Sequence, residues 1–270
     1  MRLHYTFRVT LTLLLALGAA ALCVALRTPL PWMIGPLVVT AVASMAGAPT
    51  ESWAPLRNGG QWVIGAALGL YFTPQVMALV ASLWWAILLA IAWALMLGVS
   101  FAAVLYRLHA PRLAGVAPDA MRATAFFAGA VGGASEMTLL AERVGARTDL
   151  VAAAHSLRLM VVVLVIPFGL QASGLTGVDV TSPGPRIVHP SGLLALGVCT
   201  VAGALVMQRL GRANPWFMGS LVVAMGFTMA GITLSAIPVA LSNAAQLVIG
   251  VSLGVRFTSG FLHTAPRWLA

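Results

Sequence analysis

Lysine is absent: all the positive charge of this 270-residue chain comes from arginine, 15 residues in all. The arginines stand singly between apolar blocks, with no basic run and no basic patch interleaved with aromatics. The net charge of +9 is therefore not a nucleic-acid signature, and no nucleic-acid partner is expected. Acid is scarce too. Six carboxylates bring the charged fraction to only 8%, against about a quarter in an ordinary soluble domain. The two cysteines, Cys23 and Cys199, both lie in apolar stretches, which excludes a disulfide framework and offers no metal-ligand spacing. The five histidines (His4, His109, His155, His189 and His263) are scattered, with no two on one helix face, so the clustered ligands of a copper or iron site are missing. There is no nucleophile elbow, phosphate loop or dinucleotide fingerprint. No enzyme, no cofactor and no metal is expected.

What fills the chain is apolar. Hydrophobic residues make up 60% and the mean hydropathy is +0.98, which a fold with a polar surface does not sustain. About 20 apolar residues cross a hydrocarbon core. The pattern predicts spans at 8–27, 31–47, 60–80, 82–106, 120–146, 149–172, 191–208, 214–231 and 242–263. The longest connection, 173–191, carries Asp179, Pro183, Pro185 and His189. Arg2 and Arg8 followed by an apolar run would also serve as a secretory signal. A second copy of that segment in mid-chain, described below, favours a retained first helix. The expected setting is the lipid bilayer of a bacterial inner membrane, crossed several times.

Arginine placement sets the orientation. Arg158, Arg256 and Arg267 are set aside as embedded or ambiguous. With a cytoplasmic N-terminus and nine crossings, seven arginines fall inside and five outside; if 120–146 enters and returns on one side, the division becomes ten to two. Gly129, Gly132 and Gly133, followed by Ser135 and Glu136, weaken a continuous helix at that point. Broken backbone at membrane depth is tolerated only in protein or beside a wet cavity. The segment is read as a re-entrant pair of half-helices hinged near Gly132 and Gly133.

An internal repeat runs through the chain. PWMIGPLVVTAV at 31–42 is echoed by PWFMGSLVVAMG at 215–226, an offset of 184. Asn58, Gln61, Ile64, Gly65, Gly69, Phe72 and Thr73 are matched by Asn243, Gln246, Ile249, Gly250, Gly254, Phe257 and Thr258 at an offset of 185. Upstream, LLALG at 14–18 recurs at 193–197. With 120–146 re-entrant, a copy has five crossings, an odd number, so the second enters with opposite polarity, as in many secondary transporters. Ala270 corresponds to residue 85 of the first copy, and counterparts of 86–172 are lacking. The expectation is either a fragment or a chain that needs a second subunit, such as a homodimer. The fold class is thus an all-α integral membrane bundle: a first repeat at 8–172, a linker at 173–190 and an incomplete second repeat at 191–270.

Gly132–Met137 (GGASEM), Leu140-Ala141-Glu142, Val151-Ala152 and His155-Ser156-Leu157-Arg158 occur together with the two PW-x-x-G and N-x-x-Q-x-x-I-G blocks. In this combination the chain resembles the AbrB-duplication membrane protein family, also labelled as an ammonia monooxygenase or an AbrB family transcriptional regulator. Val131 stands where that family usually has proline before the two glycines. The resemblance implies an inner-membrane protein similar in plan to antiporter-like folds, with a link to control of gene expression. It does not define a reaction. The scattered histidines give the oxygenase label no support, and without a DNA-binding module any regulatory effect must be indirect.

Several residues are candidates for binding a small solute or ion. Glu136 is the one carboxylate placed at membrane depth, where a charge is costly unless paired or hydrated; its structural alternative is a partner for Arg158. His155 and Arg158 lie three apart on one face and could join Glu136 in a charge network or bind an anion; otherwise they form a satisfied packing pair. Asn58 and Gln61, with Asn243 and Gln246, offer neutral donors and acceptors for a solute, or hydrogen bonds between helices. Gly65/Gly69 and Gly250/Gly254 form two G-x-x-x-G faces read as close helix crossings. The function read from these features is a transporter-like protein for a small solute, with regulation of gene expression without transport as the alternative.

Overall fold

In the computed structural model, residues 2–109, 117–174 and 187–258 are described, and helix is the regular structure among them. The helices are α1 (Arg2–Ala25), α2 (Pro31–Met45), α3 (Ala54–Gly69), α4 (Pro74–Ser82), α5 (Trp84–His109), α6 (Pro118–Gly129), α7 (Ala134–Arg143), α8 (Thr148–Ser173), α9 (Pro190–Arg209), α10 (Pro215–Met229) and α11 (Val239–Gly254). Asp179, Pro183, Pro185, Arg186, His263 and Arg267 lie outside the described residues, as do the middle of the 173–190 linker and the end of the 242–263 span.

Local chemistry explains many of the boundaries. Five helices (α2, α4, α6, α9 and α10) begin on proline, whose fixed φ suits a first turn and whose missing N–H costs nothing there. Gly231, at φ 73°, ends α10, and the Ile232 N–H then donates back to the Phe227 carbonyl at 2.9 Å. Among the described residues four helices are long and apolar enough to cross a membrane: Tyr5–Ala25, Trp84–Leu108, Thr148–Ser173 and Pro190–Arg209. The span expected at 60–80 is not one straight helix. It is α3 and α4, bent by 79° across the break at 70–73.

The chain forms two compact units, and they do not follow the sequence boundaries. One holds α1–α4, α9–α11 and the end of α8; the other holds α5–α7 and most of α8. In the first unit, helices from both ends of the sequence interlock through glycine. A β-carbon on Gly69 would lie 2.6 Å from the Leu221 carbonyl oxygen, and one on Gly65 would collide with Phe217 and Ser220, so α3 lies directly on α10. A β-carbon on Gly250 would lie 2.6 Å from the Met33 carbonyl oxygen, and one on Gly254 would lie 2.8 Å from that of Leu37, so α11 lies directly on α2. The partner positions correspond one for one at the 184 offset: Met33 with Phe217, Pro36 with Ser220, Leu37 with Leu221, Thr40 with Ala224.

These contacts also give directions. Position numbers rise together along α3 and α10, and along α11 and α2, so each pair runs parallel. The α3 and α11 helices meet where a Gly60 β-carbon would stand 3.1 Å from the Ala245 carbonyl and 3.2 Å from Ile249 Cγ1. Gly60 and Ala245 are themselves equivalent at the 185 offset. The connection before α3 is tied to the first half of α1: the Glu51 N–H donates to Thr12 Oγ1 at 3.2 Å, and the Tyr5 hydroxyl donates to the Ser52 carbonyl at 3.3 Å. Ala16 and Ala20 of α1 pack with Val251 and Leu247 of α11, with Leu13 and Val255 alongside. The start of α3 thus lies at the end of α11. The two helices run antiparallel.

The packing corrects one sequence register. Val9, Thr12, Ala16 and Ala20 are buried on α1, and Leu196, Thr200 and Ala204 on α9; Thr12, Ala16 and Ala20 correspond to those three at 184. In the two LLALG strings, offset by 179, burial does not match: Ala16 is buried where Ala195 is exposed, and Leu17 is exposed where Leu196 is buried. Their likeness reflects a small apolar vocabulary rather than the face that packs.

In the second unit, α6 and α7 fold back as a helical hairpin. The Arg147 N–H, just beyond α7, donates to Thr124 Oγ1 in the middle of α6 at 2.9 Å. Met121, Ala125 and Ala128 pack with Ala141, Ala146, Leu150, Val151 and Leu105. Gly129 meets α5, where its β-carbon would lie 2.6 Å from the Gly98 carbonyl oxygen.

Candidate functional site

The sequence candidates fall into the two units, four amides in the first and Glu136, His155 and Arg158 in the second. The amides flank the α3–α11 crossing: Asn58 and Gln61 lie within two residues of Gly60, and Asn243 and Gln246 within two of Ala245. All four are half-buried, and among the described residues none has a hydrogen-bond partner. One turn before Gly65 on two parallel helices, Gln61 comes level with the first turn of α10; by the same geometry Gln246 comes level with the first turn of α2. The arrangement holds neutral donors and acceptors where α3 and α11 meet.

Next to them is a bond that sequence reasoning missed. The Trp62 indole N–H donates to Thr200 Oγ1 at 2.9 Å, joining α3 to α9. Thr200 is fully buried and its hydroxyl donates in turn to the Leu196 carbonyl at 2.7 Å. No local signal could have paired residues 138 apart in sequence.

The break at 70–73 has a signal that was available. Thr73 Oγ1 accepts the Val76 N–H at 3.3 Å, and Pro74 opens α4, so Thr-Pro is an N-cap followed by a first-turn proline. The repeated N-x-x-Q block therefore ends at a helix break rather than within a span.

In the second unit the chain leaves α6 at Gly129 and enters α7 at Ala134. Ala130 (φ −58°, ψ 144°) and Gly133 (φ −68°, ψ 136°) are extended, and neither Gly132 nor Gly133 adopts a positive φ. The glycines expected as a hinge thus do not supply left-handed backbone. Gly129 serves as the close contact to Gly98, and a β-carbon on Gly132 would meet the Met137 side chain.

A helix that stops leaves open carbonyls, and α8 closes them. Nε2 of the buried His155 donates to the Phe127 carbonyl at 2.8 Å. That bond fixes the tautomer, leaving Nδ1 to accept from Arg158 Nη2 at 2.9 Å. Arg158 also donates through Nη1 to the Ala130 carbonyl at 3.1 Å and through Nη2 to that of Gly132 at 3.4 Å. The guanidinium stands at the negative end of the α6 dipole. Arg158 thus ties the end of α6 and the 130–133 segment to α8.

Glu136 is exposed, in the first turn of α7 at the positive end of that helix. Among the described residues it forms no ion pair, so the Glu136–Arg158 network is not assembled; the salt bridge present joins Arg147 to Asp149 at 2.6 Å. Among the described residues no group of three histidine, cysteine or acidic side chains converges as metal ligands would.

The class that fold and site define is an all-helical protein with several helices able to cross a membrane. The chain belongs to the AbrB family: the family model described as "Transition state regulatory protein AbrB" matches residues 32–270. It is also similar to "Uncharacterized protein YhjN" of Bacillus subtilis (strain 168), with 29% identity over 145 residues, covering 51% of this chain and 35% of that protein. The match thus spans about a third of the length of the curated relative. No solved structure matches the chain.

Proposed function

We propose that this chain is a multi-pass protein of the bacterial inner membrane, its N-terminus cytoplasmic, that carries a small solute by means of an inverted helix repeat. The observation that carries the reading is the antiparallel course of α3 and α11, two helices with the same N-x-x-Q-x-x-I-G-x-x-x-G block. Inversion follows if α5, α8, α9 and α10 cross between them while the α6–α7 hairpin does not. Were the hairpin a crossing, α3 and α11 would run parallel. The hydrogen bond from Arg147 back to Thr124 supports a hairpin whose two ends stay together. The solute site in this reading is the four-amide crossing, because unpartnered amides between inverted helices can exchange partners with a passing solute.

The test is flux. Purified protein in liposomes is examined by solid-supported-membrane current recording during concentration jumps of a panel of small organic and inorganic anions and neutral solutes. A solute-dependent current that disappears in a Gln61→Leu/Gln246→Leu variant supports carriage. A current unchanged by that variant removes the amides from the path, and a silent panel removes transport. A periplasm-sensitive reporter fused after Arg147 should be inactive; an active one would reverse the topology. The family description favours a second reading, an indirect influence on gene expression without transport. Altered transcription on deletion, with solute binding but no flux, would support it.

A further inference from the structure

The two glycine-lined crossings of the first unit are equally tight but not equally satisfied. A β-carbon on Gly254 would lie 2.7 Å from Thr40 Cβ, and one on Gly69 would lie 2.7 Å from Ala224 Cβ. Thr40 and Ala224 correspond at the 184 offset, so one crossing encloses a hydroxyl where the other encloses a methyl. Thr40 is fully buried, and its Oγ1 is sealed from solvent without a hydrogen-bond partner. Among the described residues it is the only buried side-chain polar atom left in that state. Other helical threonines avoid it: Thr12, Thr124, Thr200 and Thr228 each donate to the carbonyl four residues back, at 2.7–2.9 Å. The Thr40 hydroxyl leaves the Pro36 carbonyl, four residues back, unused.

Two more equivalent positions differ in the same sense. Pro36, inside α2, has no N–H to return to the Trp32 carbonyl. Its equivalent, Ser220, donates through Oγ to the Trp216 carbonyl at 2.8 Å. Trp62 ties α3 to α9 through Thr200 at 2.9 Å, whereas the equivalent residues, Leu247 and Ala16, give α11 and α1 only apolar packing. A buried hydroxyl without a partner carries its full desolvation cost for as long as the crossing stays closed. Parting the helices there lets the hydroxyl bond to water and removes that cost. At Ala224 nothing comparable is gained.

We propose that the crossing of α2 with α11 is a release point built into the first unit: α11 parts locally from α2, the Thr40 hydroxyl gains water as its partner, and α3 stays on α10. Of the two helices that carry the N-x-x-Q block, α11 is then the one that moves, and α3 is the one held, by its contacts to α10 and its bond to α9. The asymmetry belongs to the packing, so it holds whether the protein carries a solute or only senses one.

Hydrogen exchange of the full chain in phosphatidylcholine nanodiscs, resolved by mass spectrometry, reads the two crossings separately. Amides of α2 and α11 should exchange about tenfold faster than those of α10 and α3. Thr40→Val keeps the shape and removes the hydroxyl. It should slow exchange in α2 and α11 by about tenfold, leave α3 and α10 unchanged and raise the unfolding temperature. Thr40→Ser retains the hydroxyl and should retain the fast exchange. Equal exchange at the two crossings of the unaltered protein overturns the proposal, and that comparison needs no variant. So does a Thr40→Val protein that exchanges as fast as the unaltered one, is destabilised or fails to fold, or a Thr40→Ser protein that exchanges slowly, because each shows that the hydroxyl is not what brings the crossing near release.

Discussion

At 70–73 the chain leaves one helix and enters another with everything it needs close at hand. Leu70 donates to Ala66, Tyr71 to Leu68 and Phe72 to Gly69, after which Thr73 caps α4. At 130–133 the chain also stops one helix and starts another, but the open carbonyls of Phe127, Ala130 and Gly132 are met from α8, by His155 and Arg158. The first break is closed by neighbours in sequence and the second by residues 26 to 28 positions away. A locally closed break can form with its own helix pair. A remotely closed one exists only once α8 has docked, so a single change on α8 can release it. The difference separates a bend built into one segment from a junction that couples two.

Arg158→Ala should have the largest effect, because it removes two charge-assisted carbonyl bonds and the partner of His155 Nδ1 together. A loss of about 3 kcal/mol is expected, with proteolytic cleavage appearing in the 130–133 segment while the 70–73 segment stays resistant. Equal cleavage at both breaks would show that they are not independently closed. Gly250→Ala probes the third device, shape alone. Its β-carbon would meet the Met33 carbonyl oxygen at 2.6 Å, and overpacking of about 2 kcal/mol should appear in the unfolding temperature. Gly65→Ala, facing the equivalent Phe217 contact on α10, should match it; a clear difference would separate the two interfaces.

Thr73→Val removes the local cap and should cost about 1 kcal/mol. Hydrogen exchange should rise in α4 and stay unchanged in α6 and α7. The smallest effect is expected from Val131→Pro. Ala130 already has the extended backbone that a residue before proline adopts, so the change should shift stability by no more than about 0.5 kcal/mol. A larger loss would mean that the Val131 N–H or its backbone angles matter to the break.

Hydropathy made the helical, membrane-crossing character legible, but a window of about 20 residues averages over a four-residue break, so 60–80 reads as one span although Thr73-Pro74 marks an N-cap. The glycine spacings mark faces without saying which helix meets them. The LLALG strings mislead because apolar likeness carries no information about which side is buried. His155 and Arg158 stood out as costly residues on one face, yet their partners are backbone carbonyls, which have no signature in the side-chain sequence. Glu136 drew attention for the same reason, and its place in an exposed first turn depends on where α7 starts.

Composition, periodicity and internal likeness are properties of the chain read in one dimension, and they suffice to mark an apolar, all-helical member of the AbrB family with a matched pair of N-x-x-Q blocks. It took the tertiary structure to place α3 on α10 and α11 on α2, and to run the two block-bearing helices antiparallel. Those facts depend on contacts between residues 152 to 217 positions apart, where steric fit between backbones selects the partner and no local preference can.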